Sequence, residues 1–110
     1  MTEIKFSATA EGVELRVVGH ANYNPGHDIV CAAVSMLVNT YASLVEDYSN
    51  VMDLQEMKVN AGEVIIRYRD VKSEEAADEL NNYNAFVIRG SKMLQEGFPD
   101  YVSFTCLLEN

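Results

Sequence analysis

The sequence predicts an α+β domain in which two helices cover an antiparallel or mixed sheet, in the order ββαββαβ. Two observations carry this prediction. Short segments with alternating apolar and polar residues come in pairs separated by turn residues, and two longer segments have the capping residues and apolar content of helices. The chain has 110 residues, a usual length for one domain, so we expect a single domain over residues 1–110.

The first hairpin and a following loop are predicted near the N-terminus. Apolar residues alternate with polar ones over residues 3–9 and again over residues 13–18, and Ala10-Glu11-Gly12 can turn the chain between them. Residues 19–26 include two Gly, two Asn and a Pro, which favour turns over regular elements. We therefore expect a hairpin that leads into an irregular loop.

The first predicted helix runs from Ile29 to near Tyr48. Asp28 is its expected N-cap, because a carboxylate can accept the backbone N–H groups that the first turn leaves unpaired. Residues 29–45 carry no charge and approach the length of a membrane span, but they include polar residues and lack a flanking Lys or Arg belt. We interpret the segment as a buried helix without a membrane partner. Because it is apolar nearly all the way round until Glu46, a second subunit could supply part of its cover.

A second hairpin, a second helix and a last strand complete the predicted order. Asn60-Ala61-Gly62 can turn the chain between residues 57–59 and residues 64–68, whose apolar members share one face. Ser73 can cap a helix with a buried stripe and a stop at Gly97 and Pro99. The expected stripe consists of Leu80, Val87 and Leu94.

The last predicted strand, Tyr101–Leu108, contains Cys106, one of the two cysteines. Cys106 alternates in phase with Phe104 and Leu108 on the predicted inward face. We therefore expect Cys106 to be a buried core residue.

Charge and the N-terminal residues restrict the class of protein. The chain has 8 Lys and Arg against 17 Asp and Glu, a formal net charge of −9, which disfavours direct contact with nucleic acid. Such a charge attracts a basic partner or only keeps the protein soluble. The N-terminal residues lack the pattern of an export signal, so we expect a cytoplasmic protein with reduced cysteines.

The residues with chemical potential lie between Gly19 and Cys31. With Asp28 as the N-cap, Cys31 is the third helical residue, where free N–H groups and the helix dipole favour a thiolate and could stabilise an oxyanion. His20 could fold back to act as its general base. Spacing alone leaves the alternative open that Cys31 is a small buried hydrophobe and His20 a polar loop residue. Asp28 would oppose thiolate formation if it pointed at the sulfur, and is more consistent with a capping role or with orienting His20.

Metal binding is a second alternative for the same segment. His20, His27, Asp28 and Cys31 are all possible zinc ligands. Their spacing matches no zinc module that we can name. We expect neither a metal nor another cofactor.

Two short motifs carry a resemblance to a known family. Gly19-His20-Ala21, followed by the run from Gly26 to Ser35 that contains Asp28-Ile29-Val30-Cys31-Ala32, resembles the signature of the ribosomal-processing cysteine protease family called Prp. The resemblance covers the whole chain, and the matching positions show no departure.

This resemblance implies a homodimeric enzyme that removes the N-terminal extension of a large-subunit ribosomal protein. It implies cleavage after a pair of aromatic residues and before a small one. It places the nucleophile at Cys31 and the base at His20, with Asp28 in a supporting role and Gly19 and Gly26 shaping the loop. The substrate could instead be a phage structural protein, and a rival interpretation is a non-enzymatic assembly factor that only binds a ribosomal protein.

Overall fold

A computed structural model describes residues 1–24 and 28–109 of the chain. The strands are β1 (Thr2–Thr9), β2 (Gly12–Val18), β3 (Asp53–Asn60), β4 (Glu63–Arg69) and β5 (Val102–Leu108). The helices are α1 (Ile29–Glu46) and α2 (Glu74–Gly97), and a short 3-10 helix covers Ser49–Val51. The predicted element order and the α+β class are therefore confirmed.

The five strands form one mixed sheet in the order β3-β4-β2-β1-β5. The pairs β1–β2, β2–β4 and β3–β4 are antiparallel, whereas β5 runs parallel to β1. A parallel pair needs a long connection, and here the chain between β1 and β5 includes both helices. The order leaves β3 and β5 at the two edges of the sheet.

The core lies between one face of the sheet and both helices. The face contributes Ile4, Leu15, Ile66 and Val102, all fully buried. The helices add a further set of buried apolar residues: Val30, Val34, Val38, Tyr41, Val45, Leu80 and Val87. Burial of these side chains, each worth about 1.5–3 kcal/mol, holds the start of α1 against the end of β2.

Helix α1 ends slightly earlier than predicted, at Glu46, and its last turn is followed by the 3-10 helix. It is long and apolar enough to cross a membrane by length and composition, a test that the core helix of a soluble protein also passes. Its buried residues pack on the sheet, while Ile29 and Met36 on the opposite side are 60% and 71% exposed. One sheet therefore covers only part of the helix.

The predicted burial of Cys106 is wrong. Cys106 pairs with Phe6 across β1 and β5 and does share a face with Phe104 and Leu108, but it is exposed, and Leu108 is 63% exposed. Of these residues Phe104 packs partly against the core. The helices cover the start of β5 and leave its end exposed. Alternation therefore identified the side chains that share the inward face, but not how far along the strand the helices bury that face.

Candidate active site

A cleft of about 390 Å³ lies at the start of α1. The end of β2, the first turns of α1 and the β3–β4 turn form its walls. Cys31 and His20 both line it. The valines that line it are Val17, Val34, Val38, Val59 and Val64, and its polar lining includes Ser35 and Asn39. The fold therefore brings the predicted nucleophile and the predicted base to one concave surface with both apolar and polar walls.

Cys31 is the third residue of α1, as predicted, and its side chain is half-buried. The backbone N–H of the buried Ala21 donates to Cys31 Sγ at 3.4 Å. A donor aimed at the sulfur stabilises a negative charge more than a neutral thiol. This N–H group was not anticipated from the sequence, because it depends on how the loop after β2 folds back over α1.

Asp28 is the N-cap of α1, so this prediction is confirmed. Its Oδ1 accepts the backbone N–H groups of Val30 at 3.0 Å and Cys31 at 2.9 Å, and its Oδ2 accepts the N–H of Tyr23 at 2.9 Å. The N–H of Cys31 is the strongest cause of an Asp28 pKa below the usual carboxyl range, and the N–H groups of Tyr23 and Val30 act in the same direction. The carboxylate therefore connects the loop to the helix start.

The same bonds limit the predicted source of oxyanion stabilisation at the helix start. The N–H groups of Val30 and Cys31 are occupied by the Asp28 side chain, and the N–H of Ala32 donates to the Asp28 carbonyl oxygen at 3.1 Å. These groups of the first turn are not available to a substrate. The Ala21 N–H donates to Cys31 Sγ and so lies beside the atom that reacts.

His20 is exposed and follows Gly19, whose φ of +99° is in the left-handed region. A side chain at Gly19 would collide with the carbonyl oxygen of Met1, so glycine is required there by both conformation and space. The predicted role of Gly19 in shaping the loop is consistent with this geometry. Among the described residues, no hydrogen bond joins His20 to Cys31.

The loop between β2 and α1 is held by an aromatic contact. The ring of Tyr23 meets Phe98 and Tyr101 edge to face, with centroid distances of 5.6 and 5.0 Å. Phe98 and Tyr101 belong to the connection between α2 and β5. The C-terminal part of the chain therefore helps to position the segment that carries His20.

Gly26 and His27 lie outside the described residues, so the predicted role of Gly26 and the metal alternative that includes His27 stay predictions. Within residues 1–24 and 28–109, no three His, Cys, Asp or Glu side chains lie close enough together to hold a metal ion.

The β3–β4 turn is a part of the site that sequence reasoning did not anticipate. Val59, Asn60, Ala61, Gly62 and Glu63 line the cleft opposite α1. Asn60-Ala61-Gly62 indicates a turn in the sequence, but nothing local in the sequence shows that this turn approaches His20.

Comparison with known proteins identifies a family model that matches most of the chain. The family model described as Cysteine protease Prp matches residues 1–103. The crystal structure of the essential ribosomal processing protease Prp from S. aureus with a covalently linked product peptide has a TM-score of 0.69 and 22% identity, and the match covers 96% of this chain and 99% of that chain. The crystal structure of SMU.848 from Streptococcus mutans also has a TM-score of 0.69 and 22% identity, and the match covers 99% of this chain and 96% of that chain.

A second S. aureus Prp structure, in complex with a substrate peptide, has a TM-score of 0.67 and 19% identity over 96% of this chain and 99% of that chain. At these identities the solved structures establish the shared fold. Comparison with curated proteins gave no significant match. The family match is the decisive finding, because residues 1–103 include every residue of the cleft. The chain therefore belongs to the Prp family of cysteine proteases.

Proposed function

We propose that this cysteine protease removes the N-terminal extension of a large-subunit ribosomal protein, cutting after a pair of aromatic residues and before a small one. The observation that carries the proposal is the cleft that Cys31 and His20 line together. Family membership supports the peptidase chemistry, and the similar S. aureus protein is a ribosomal processing protease whose structures hold peptides. We further propose that the enzyme acts in the cytoplasm as a homodimer, without a metal or other cofactor.

The proposed mechanism uses Cys31 as the nucleophile and His20 as the acid and base. The thiolate sulfur attacks the scissile carbonyl carbon, and the Ala21 N–H stabilises the negative oxygen that forms. The C–N bond then breaks as the His20 imidazolium gives its proton to the leaving amine. Water attacks the thioester, His20 accepts a proton from it, and the S–C bond breaks to restore Cys31.

The lining of the cleft supports an aromatic substrate side chain. Five valines provide apolar walls close to Cys31, and burial of an aromatic ring against such walls is favourable by about 25 cal/mol for each Å² removed from water. Ser35 and Asn39 provide hydrogen-bonding groups along α1 for the backbone of an extended peptide. The formal net charge of −9 favours a basic segment, as expected for a ribosomal protein.

Incubation with a synthetic peptide tests the proposal. The peptide carries two aromatic residues followed by a small residue, and mass spectrometry of the products locates the cut. We expect cleavage directly after the second aromatic residue. The control peptide has Ser at both aromatic positions and should stay intact. An uncut aromatic peptide, or equal cleavage of the control, would contradict the proposed specificity.

Variants test the two catalytic roles. Cys31→Ser and His20→Ala should leave no detectable cleavage while the peptide still binds, as measured by fluorescence anisotropy. His27→Ala should remain active. Unfolding in urea shows whether each variant keeps its fold. A Cys31→Ser variant that folds, cuts nothing and still keeps the protein's function in ribosome assembly would favour the binding-only assembly factor. A loss of cooperative unfolding would show that Cys31 is a core residue.

A further inference from the structure

Gly62 occupies the second position of the tight turn between β3 and β4. Asn60 pairs with Glu63 at the ends of the two strands, which leaves Ala61 and Gly62 as the turn residues. The φ of Gly62 is +81°, in the left-handed region that a side chain disfavours. The backbone conformation of the turn by itself favours Gly at this position. It does not show which part of the site the turn contacts.

The contact is the imidazole ring of His20. A Cβ atom at Gly62 would lie 2.7 Å from His20 Nε2, closer than real Cβ atoms come to a neighbour, and 3.1 Å from Cε1, which is a tight contact. The ring therefore lies directly over the Gly62 backbone. Any residue with a Cβ atom would push the ring away, whichever rotamer that residue adopted.

The backbone adds a second connection at the same point. The N–H of Gly19 donates to the carbonyl oxygen of Gly62 at 2.9 Å. Gly19 directly precedes His20, so this bond places the His20 backbone relative to the turn. Gly62 thus leaves room for the His20 ring because it has no Cβ atom, and its carbonyl group holds Gly19 through a hydrogen bond.

We propose that Gly62 is a positioning residue that holds the His20 imidazole in place for proton transfer at Cys31. This inference rests on the proposed role of His20. His20 is exposed, so few other contacts limit rotation of its side chain. A general base acts only within about 2.6–3.2 Å of the group whose proton it takes, and a displacement of about 1 Å can cost roughly 100-fold in rate. The bare backbone of Gly62 leaves room for the ring in its present orientation, which a Cβ atom would block.

The test compares Gly62→Ala with Gly12→Ala. Gly12 lies in the β1–β2 hairpin with a φ of +128°, and its added Cβ would meet the Tyr68 carbonyl oxygen at 2.6 Å, away from the cleft. Both variants strain a turn, but only Gly62→Ala displaces His20. We expect kcat to fall roughly 10- to 100-fold in Gly62→Ala and less than about twofold in Gly12→Ala, with unfolding in urea measured for both.

A second variant separates backbone strain from the ring contact. Asn tolerates a left-handed φ better than Ala but still carries a Cβ atom. Gly62→Asn should therefore unfold at a higher urea concentration than Gly62→Ala. Its kcat for peptide cleavage should nevertheless be as low as that of Gly62→Ala. It also serves as the test if Gly62→Ala does not fold. Recovery of full activity in Gly62→Asn would show that the ring contact has no positioning role.

Alkylation of Cys31 by iodoacetamide, located by peptide mapping, gives a readout that does not depend on peptide binding. We expect its rate near pH 6 to fall in Gly62→Ala and His20→Ala alike and to be unchanged in Gly12→Ala. If His20→Ala cleaves normally, the proposed base is wrong. If His20→Ala is inactive while Gly62→Ala has normal cleavage and alkylation rates, only the inference about Gly62 is overturned.

Discussion

The carboxylate of Asp28 shows how one residue organises the start of a helix. It accepts N–H groups from Tyr23, Val30 and Cys31, and so joins the loop to the first turn of α1. Its pKa is lowered because these bonds, led by that of Cys31, favour the charged form. Asp28 therefore holds the first turn of α1, and with it Cys31, in place relative to the loop.

We expect the Asp28 charge to stabilise the fold in a pH-dependent way. A lowered pKa in the folded state gives stability that is complete above the ordinary pKa of 3.8 and is lost as pH falls through the lower folded value. Asn can cap the helix without a charge. Urea midpoints of the wild type and Asp28→Asn should therefore differ by a constant amount above about pH 5 and converge at lower pH. A difference that grows on acidification would contradict this assignment.

Cys106 gives a second prediction for a single residue. Because it is exposed near the end of β5, it should react with alkylating agents, although it has no part in the site. Cys106→Ser should keep full activity and unfold within about 0.5 kcal/mol of the wild type. Partial alkylation followed by peptide mapping should show that activity falls in proportion to modification of Cys31 alone. Inactivation that followed Cys106 modification would contradict the predicted nucleophile.

At the scale of elements, a buried polar network joins α1, α2 and β4. The Tyr41 hydroxyl donates to Asn84 Oδ1 at 2.7 Å, and Asn84 Nδ2 donates to the Tyr68 hydroxyl at 3.2 Å. Burial raises the pKa of both tyrosines above the ordinary value of 10.0. The network fixes the two helices over the strand whose preceding turn contacts His20.

This network should make the fold sensitive to alkali. A raised pKa in the folded state means that its stabilising contribution is complete below the ordinary tyrosine pKa of 10.0 and is lost as pH rises above it. The urea midpoint of Tyr41→Phe should be lower than that of the wild type at neutral pH. Between about pH 9 and pH 11 it should fall less steeply with pH than the wild-type midpoint does. Tyr23→Phe, which removes the hydroxyl group of an exposed tyrosine, is the control. An equal slope in Tyr41→Phe and the wild type would exclude this explanation.

At the scale of the whole molecule, the outer side of α1 is the clearest candidate for a subunit contact. Ile29 and Met36 remain 60% and 71% exposed although the helix is apolar nearly all the way round. Exposed apolar side chains on one helix face are typical of an association surface. The predicted homodimer would give this face a cover that the sheet does not provide.

Sedimentation velocity at micromolar concentration should therefore give the mass of a dimer. Met36→Lys should shift the protein toward a monomer, because a charge in an apolar contact is costly to desolvate. Met93→Lys on α2, where Met93 is 64% exposed, is the matched control and should stay dimeric. A monomeric wild type, or dissociation caused only by Met93→Lys, would contradict a contact through α1.

Local patterns in the sequence determined the elements and the helix start. Alternation with a period of two marks the strands, and a capping residue acts on N–H groups only two or three positions away. These short-range effects explain why the order ββαββαβ, the Asp28 cap and the position of Cys31 in α1 were all predicted correctly. The family motifs added the expected roles of Cys31 and His20, which local physics alone left open.

Only the tertiary structure decided which surfaces meet. The sheet order, the parallel pairing of β5 with β1, the exposure of Cys106 and the approach of Gly62 to His20 all depend on segments that are far apart in the chain. Alternation shows which side chains share a face of a strand, but not how far a helix extends over that face. The cleft forms where the end of β2, the start of α1 and the β3–β4 turn converge, and packing of the common core sets that convergence.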